Sequence, residues 1–238
     1  MSEVNDPRPK RFYKAVDVLE GGAGFAVLLD GRPPKTPEGS PLSLPTGALA
    51  RLIADEWAGQ GEHIVFADMP ATRLAFTAID HLPQARDAVA AEAARYAGSD
   101  LLCYFAEAPA ALVARQTAAW APLLVWAEAE LDLRLHRAAG VVHTPQPPET
   151  LARARDAAAA LDDFTLAGLA FGAPLFGSFV LAEAVRRGRL AGAEAFELSR
   201  LDETFQEEAW GVDAEAAART ERLRAEAVML ERWFRALG

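Results

Sequence analysis

Cysteine is almost absent from this 238-residue chain, which contains a single one, Cys103. One cysteine excludes an internal disulfide framework and is typical of a protein from a reducing compartment. Long apolar runs are absent too, since none approaches the roughly 20 residues that a membrane-spanning helix requires. The polar, proline-containing N-terminus lacks the apolar segment of a secretory signal and the pattern of an organelle transit peptide. We therefore expect a cytoplasmic protein that does not insert into a membrane.

Basic residues are outnumbered in this chain. There are 24 Lys and Arg against 34 Asp and Glu, which gives a formal net charge of −10 and a pI of about 5.0. The short basic cluster at Arg186–Arg189 lies at a predicted helix end, where the helix dipole favours cations. Because a phosphate backbone is repelled by an acidic surface, nucleic acid is not an expected partner.

Sequence motifs of enzymes and of cofactor sites are missing. The chain has no G-x-x-x-x-G-K-[ST] phosphate loop, and its "GGAG" cluster at 21–24 lies between two predicted strands rather than before a helix. Ser178 in "FGSF" has no base in register, and Cys103 is expected to be a buried structural thiol. No metal-ligand spacing links the four histidines, His63, His81, His136 and His143. We therefore predict no catalytic residue, no metal site and no cofactor.

The β-strand signals are confined to the first third of the chain. Two β-rich runs at 12–19 and 25–31 flank the "GGAG" turn and predict a β-hairpin. The run "LSL" at 42–44 is short enough to be an edge strand, and 63–70 has the pattern of one more strand or an extended linker. The prolines that follow the second run exclude that stretch from the centre of a sheet.

A first amphipathic helix is predicted between the short strand and Gly59. Thr46 is a plausible N-cap because its hydroxyl can accept a hydrogen bond from a free backbone N–H group. Leu49, Ile53 and Trp57 recur every four residues, so they define one buried face of this helix.

After Pro70 the pattern is almost wholly helical. Helices are predicted at 71–80, 84–97, 99–105, 110–139, 149–171, 174–188, 191–210 and 213–237. Pro122 is expected to kink or break the fourth of them. The sequence thus predicts an α+β protein, with a small β-containing N-terminal domain over residues 1–70 and a larger helical domain over residues 71–238.

The stretch "LDETFQEEAWG" at 201–211 has two different faces when it is drawn as a helix. Its apolar stripe is expected to face the core and comprises Leu198, Leu201, Phe205, Ala209 and Val212. A second row lies about 120° around the helix from that stripe and comprises Glu203, Gln206 and Trp210. A large aromatic side chain therefore stands on a face that would otherwise meet water.

Three interpretations of this second row remain open from the residues alone. In the first, another helix covers the row, and the indole of Trp210 fills a second core. In the second, the row is a protein-docking patch, because tryptophan is the residue most enriched at interface hot spots. A flanking glutamate would then receive a partner's Arg or Lys, and Gln206 would bond to the partner's backbone. In the third, a carboxylate is catalytic, although no second catalytic group is in register.

Several segments together resemble a known family. These are "RFYKAVDV", "LDGRPPKTP", "LPTGALARLIADEW", "MPATRLAFTAID", "SDLLCYF", "RQTAAWAPLLVW" and "ETFQEEAWG". In this order they are similar to the F₁-ATPase assembly chaperones that attend the α subunit, in mitochondria and in some bacteria. The resemblance implies a chaperone that is not an enzyme. Such a protein binds the newly made α subunit, covers the face that later meets the β subunit, and leaves when β arrives.

The resemblance also implies which residues bind the partner. The family has a functionally sensitive acidic residue beside a Q-x-x-x-W-G motif, which Gln206 and Trp210 match here. Glu203 fits that acidic position best, and Glu207 and Asp202 lie close to it. These five residues are the predicted partner-binding set. We expect a protein of the bacterial cytoplasm, because the N-terminus has no recognisable transit-peptide pattern. We also expect a monomer, which is the usual state of a transient binder.

A glutamate–tryptophan pair in the first helix belongs to the same resemblance and matches Glu56 and Trp57. The periodicity places Trp57 on the buried face, so its expected role is structural. Two other functions stay open. One is a small cytosolic hydrolase that uses carboxylates of the helical domain and needs a deep pocket with an acid of raised pKa. The other is a general scaffold with no preferred client.

Overall fold

The N-terminal sheet of the computed structural model, which describes residues 8–22, 24–140, 142–211 and 214–238, is a hairpin with one short added strand. Strand β1 (Val16–Gly21) pairs antiparallel with β2 (Gly24–Leu29), so that Gly21 lies opposite Gly24. Strand β3 (Ser43–Leu44) joins the free side of β2. The predicted hairpin and the predicted edge strand are both confirmed. The expected strand or linker at 63–70 instead contains a 3₁₀-helix, Phe66–Asp68.

A much larger helical part follows the sheet, which is consistent with the predicted α+β class. The α-helices of the described residues are α1 (Gly47–Ala58), α2 (Pro70–Asp80), α3 (Leu82–Gly98), α4 (Ala110–Leu131), α5 (Pro148–Ala159), α6 (Asp163–Phe176), α7 (Phe179–Arg186), α8 (Gly192–Ser199), α9 (Leu201–Trp210) and α10 (Ala214–Leu237). Two further short strands, β4 (Tyr104–Phe105) and β5 (Ala138–Ala139), pair in parallel.

Several predicted helix boundaries are wrong. Helix α4 ends at Leu131 rather than near residue 139, because Asp132 adopts a left-handed backbone with φ of 55° and the chain then enters β5. The same helix continues through Pro122, so it does not break there, while the expected kink stays a prediction. The predicted helix at 149–171 is two helices, because the Asp162 side chain accepts hydrogen bonds from the N–H groups of Phe164 and Thr165 and starts α6.

Helix α1 follows the sequence prediction closely. The Thr46 hydroxyl accepts a hydrogen bond from the N–H group of Leu49 at 3.1 Å, which makes it the N-cap. Leu49, Ile53 and Trp57 are all buried on one face. The backbone carbonyl of Trp57 also accepts a hydrogen bond from the Tyr13 hydroxyl at 2.7 Å. Trp57 is therefore a core residue, as its periodicity predicts.

Glu56, the neighbour of Trp57, connects α1 to the start of α2. Its carboxylate accepts hydrogen bonds from the N–H groups of Ala71 (2.8 Å) and Thr72 (2.7 Å) and from the Thr72 hydroxyl (2.7 Å). The residue before α2, Met69, provides no side-chain cap, so Glu56 satisfies these free donors from another helix. Burial raises the pKa of the Glu56 carboxyl, and the hydrogen bonds from Thr72 and Ala71 oppose that rise.

The sheet and the helices share one apolar core. Residues of both predicted domains, such as Val27, Leu44, Trp120 and Trp233, belong to the same cluster of buried side chains. Helix α1 packs against α10 as well as against β1 and β2. The division of the chain at residue 70 stays a prediction about its folding units.

Asp100 joins two segments that are distant in sequence. The stretch 99–105, predicted to be helical, forms instead a 3₁₀-helix, Leu101–Cys103, followed by β4. The fully buried Asp100 carboxylate accepts hydrogen bonds from the Ser178 hydroxyl (2.7 Å) and from the N–H groups of Leu102 (3.1 Å) and Val180 (3.0 Å). Ser178 is also the N-cap of α7, and Cys103 is a buried thiol, as expected.

Asp100 makes the stability of the fold depend on pH. Burial raises its pKa to about 6, so the folded chain holds this proton more tightly than the unfolded chain, where the pKa is 3.8. The resulting stabilisation is fully present below about pH 4 and is lost as the pH rises to about 6. Its loss across this interval is expected to be up to about 3 kcal/mol.

Asp100→Asn removes this titration. We expect the variant to be less stable at all pH values, since an amide group would face the N–H group of Val180. Its free energy of unfolding in urea should vary less between pH 4 and 7 than that of the unmodified protein. If the free energy of unfolding of the two proteins changed with pH in the same way, Asp100 would not titrate in this range.

Candidate functional site: the surface of α9

Helix α9 is a separate helix rather than the end of the predicted one at 191–210. The Ser199 hydroxyl donates a hydrogen bond to the carbonyl of Phe196 at 2.8 Å, and Arg200 leaves the helical conformation with φ of −111° and ψ of 20°. Hydrogen bonds of this kind from Ser side chains bend or end helices. Leu198 and Leu201 therefore belong to different helices, and a single helical wheel does not describe both.

The predicted apolar stripe is only partly correct. Leu198, Leu201 and Phe205 are half-buried, and the first two pack against the core. Ala209 is exposed, contrary to the prediction, and Val212 lies outside the described residues. All ten residues of α9 are described, and none of them is buried. Packing alone therefore holds this helix weakly.

Polar contacts from α4 hold α9 in place. The fully buried Gln116 accepts a hydrogen bond from the N–H group of Ala106 at 2.7 Å and donates one to the Asp202 carboxylate at 2.7 Å. One turn further along α4, the indole N–H group of Trp120 donates to the carbonyl of Leu198, near the end of the preceding helix α8, at 3.0 Å, so it fixes the point from which α9 starts. Asp202 lies in the first turn of α9, where the helix dipole favours a negative charge.

Arg115 makes a second contact between the two helices, near the other end of α9. Its guanidinium donates to both carboxylate oxygens of Glu208, each at 2.8 Å, and lies over the Phe205 ring with its central carbon 5.3 Å from the ring centroid. The hydrogen bonds between them lower the pKa of the Glu208 carboxyl and raise the pKa of Arg115. We refer to Arg115, Gln116 and Trp120 as the α4 clamp.

Glu207 is engaged on a different side of α9. Its carboxylate forms an ion pair with Arg200 at 2.6 Å, and the same guanidinium donates to the Thr220 hydroxyl of α10 at 2.8 Å. Two members of the predicted partner-binding set, Asp202 and Glu207, thus have partners inside this chain.

The other three predicted residues form an open surface. Glu203, Gln206 and Trp210 are all exposed, and 89% of Trp210 is accessible to solvent. Trp210 follows Glu208 by two residues, so the two side chains point about 160° apart and Trp210 faces away from α4. The structure therefore does not place Trp210 in a second core. We call Glu203, Gln206 and Trp210 the open row.

The described carboxyl groups with a raised pKa have structural hydrogen bonds. Glu56 and Asp100, the carboxyls whose pKa values are raised, are both occupied by hydrogen bonds to the starts of other segments. Among the residues that the structure describes, no group of three or more His, Cys, Asp or Glu side chains could hold a metal ion. In the same ranges, no helix has the length and apolar character to cross a membrane.

Comparison with known proteins assigns the family. Two solved structures of Atp12 from Paracoccus denitrificans, one with an aspartate-to-lysine substitution, are 43% identical to this chain with a TM-score of 0.89. They cover 97% of this chain, which covers 98% and 99% of them. The profile of the ATP12 chaperone protein family matches residues 10–128. The chain belongs to the ATP12 chaperone family.

Two further relatives agree with this assignment. Mitochondrial protein atp12 of Schizosaccharomyces pombe is 26% identical over an alignment of 222 positions, and the match covers 88% of this chain and 76% of that protein. The structure of the Atu1473 protein of Agrobacterium tumefaciens is 41% identical, with a TM-score of 0.90, and the match covers 98% of this chain and 87% of that one. The profile match ends inside α4, so it contains the α4 clamp but not α9.

Membership in the ATP12 family decides between the classes of function left open by the sequence. The family is one of chaperones for ATP synthase assembly, and it is not a family of enzymes. The alternative of a small hydrolase is therefore wrong. The resemblance inferred from the sequence segments is confirmed.

Sequence reasoning missed the α4 clamp. The segment "RQTAAW", which contains all three of its residues, belonged to the family resemblance, but no spacing rule linked it to α9. Arg115 and Glu208 are 93 positions apart, so only the tertiary structure brings them together. An adjacent arginine and glutamine in a mostly apolar segment were the available signal.

Replacing the buried amide of the clamp should loosen α9 selectively. Gln116→Leu removes both hydrogen bonds and leaves the N–H group of Ala106 unpaired, which we expect to cost about 1–3 kcal/mol of stability. Amide hydrogen exchange across α9 should become faster than across α8. Thr117→Ala is a matched control, since the Thr117 hydroxyl bonds only within α4, to Val113. If the amide hydrogens of α9 exchanged at equal rates in the two variants, the role assigned to Gln116 would be contradicted.

Proposed function

We propose that this protein is an assembly chaperone that binds the unassembled α subunit of the F₁-ATPase head and covers the surface that later meets the β subunit. The observation that carries the proposal is the exposure of Trp210, which stands almost fully in solvent at the end of a helix with no buried residue. Membership in a family of assembly chaperones supports it. The choice of the α subunit follows the resemblance of the sequence segments.

The open row has the composition that a temporary partner requires. An unpaired subunit exposes apolar surface that would otherwise aggregate or pair wrongly. A chaperone must cover that surface and later release it, which favours a few aromatic anchors within a polar rim. Trp210 is such an anchor, Glu203 is available to a partner's Arg or Lys, and Gln206 can bond to the partner's backbone.

The remaining two residues of the predicted set act indirectly in this proposal. Asp202 and Glu207 bond to Gln116 and Arg200, so their carboxylates hold α9 rather than meet the client. A helix fixed in advance loses less conformational entropy when it binds. The α4 clamp therefore serves the affinity of the open row without contacting the client.

Release occurs by competition in this proposal. The sequence has no phosphate-binding loop that would couple release to ATP. The β subunit binds the same face of α more tightly and so displaces the chaperone. We further propose that the protein acts as a monomer in the bacterial cytoplasm, since a transient binder needs no second copy.

Trp210→Ala tests the open row directly. We expect binding to purified α subunit to weaken by roughly 30- to 1,000-fold, which corresponds to the 2–4 kcal/mol of a tryptophan hot spot. Because Trp210 is exposed, circular dichroism and the unfolding midpoint should not change. Glu203→Lys should also weaken binding, since it places a cation where the proposed partner has one.

Phe12→Ala provides the matched control for this experiment. Phe12 is also an exposed aromatic residue, 72% accessible, but it lies before the sheet and not on α9. Its removal should leave α-subunit binding unchanged. The proposal fails if Trp210→Ala binds α as tightly as the unmodified protein. Equal binding of unrelated unfolded proteins would instead favour a general scaffold.

A further inference from the structure

A groove on the helical part of the molecule shares no residue with the open row. It lies between the second half of α3 and the first turns of α5, and the loop from His143 to Gln146 forms one end. Its volume of about 670 Å³ is within the range of ligand-binding sites in proteins. We call it the α3–α5 groove.

The described side chains that line the α3–α5 groove include basic groups and no acidic ones, although the protein as a whole is acidic. The described lining of the groove includes Arg95, Arg155 and His143 and contains no Asp or Glu side chain. The whole chain has a formal net charge of −10, so a groove whose lining side chains include no carboxylate is unusual in this protein. A local basic surface of this kind attracts anionic groups.

Arg95 and Arg155 each pair with a carboxylate of this chain, but both pairs are exposed, so the arginines remain available to a bound anion. Arg95 pairs with Glu92 at 2.7 Å and Arg155 with Asp156 at 3.3 Å, and all four side chains are largely exposed. Exposed pairs of this kind contribute little and exchange readily with water or another anion. Glu92 and Asp156 are not among the described residues that line the groove.

The floor of the groove is apolar and its loop wall is fixed. Gly98 of α3 lies beside Leu151 of α5, since a Cβ atom at Gly98 would be in ordinary contact with Leu151 Cδ2 at 3.7 Å. The Gln146 side chain, itself buried, accepts a hydrogen bond from the N–H group of His136 at 2.7 Å and donates one to its carbonyl at 2.9 Å. His143 in the same loop is hydrogen-bonded to the Tyr104 hydroxyl at 3.1 Å.

We propose that the α3–α5 groove binds an acidic peptide segment of another protein. The carboxylates of the segment pair with Arg95 and Arg155 at the rim, and an apolar side chain between them packs on Leu151. An open site with basic side chains beside an apolar floor suits a polypeptide, which presents both acidic and apolar groups, better than an isolated small anion. Because the loop wall is already ordered, little conformational entropy is lost on binding.

The test uses the full chain and a fluorescein-labelled acidic peptide of alternating Glu and Leu. A labelled basic peptide of alternating Lys and Leu is the control for charge. Fluorescence anisotropy at low salt should show binding of the acidic peptide only. The double variant Arg95→Gln, Arg155→Gln should weaken that binding by roughly tenfold, because it removes two charge-assisted contacts. Both arginines are exposed, so the variant is expected to fold, which circular dichroism checks.

Arg153→Gln is the matched control for the double variant. Arg153 is on the same helix as Arg155 but pairs with Asp132 at 2.7 Å and does not line the groove, so its replacement should leave peptide binding unchanged. Trp210→Ala should also bind the acidic peptide normally, which separates this site from the open row. The proposal is overturned if no acidic peptide binds, if the lysine peptide binds equally, or if the control weakens binding as much. Displacement by inorganic phosphate beyond that by chloride at equal ionic strength would indicate a small-anion site instead.

Discussion

The buried side-chain amide of Gln116 is the contact on which the position of α9 depends. It accepts from Ala106 and donates to Asp202, so one residue of α4 ties the segment after β4 to the first turn of α9. A buried amide needs both partners, because an unpaired polar group in the interior costs about 1–3 kcal/mol. This requirement places α9 against the body of the protein although none of its own residues is buried.

A helix that is held by polar contacts on one face can present its opposite face to another protein. Glu208 and Asp202 face α4, while Glu203 and Trp210 remain in solvent. Covering Trp210 with more of this chain would have stabilised the isolated fold and removed the proposed anchor. An exposed tryptophan at this position is consistent with a chaperone of the ATP12 family.

Features that depend on neighbouring residues could be predicted from the sequence. The hairpin around "GGAG", the cap at Thr46 and the buried face of α1 each rest on contacts within a few positions, and all three are confirmed. The prediction failed where distant segments meet. Residues 99–105 have helical composition, yet the Asp100 carboxylate accepts hydrogen bonds from Ser178 and Val180 of a distant segment. The chain then continues as a strand that pairs with β5.

The sequence by itself determined the class of the fold, the family and the presence of a tryptophan outside an apolar stripe, because periodicity and local motifs are properties of adjacent residues. Only the tertiary structure decided that Trp210 is uncovered, and that Asp202 and Glu207 are bonded internally while Glu203 and Gln206 are exposed. Whether a side chain on a helix meets water depends on which other elements pack beside it. Here that was set by α4, which contacts α9 directly, and by Arg200, which bonds to both Glu207 of α9 and Thr220 of α10. No local pattern encodes these contacts.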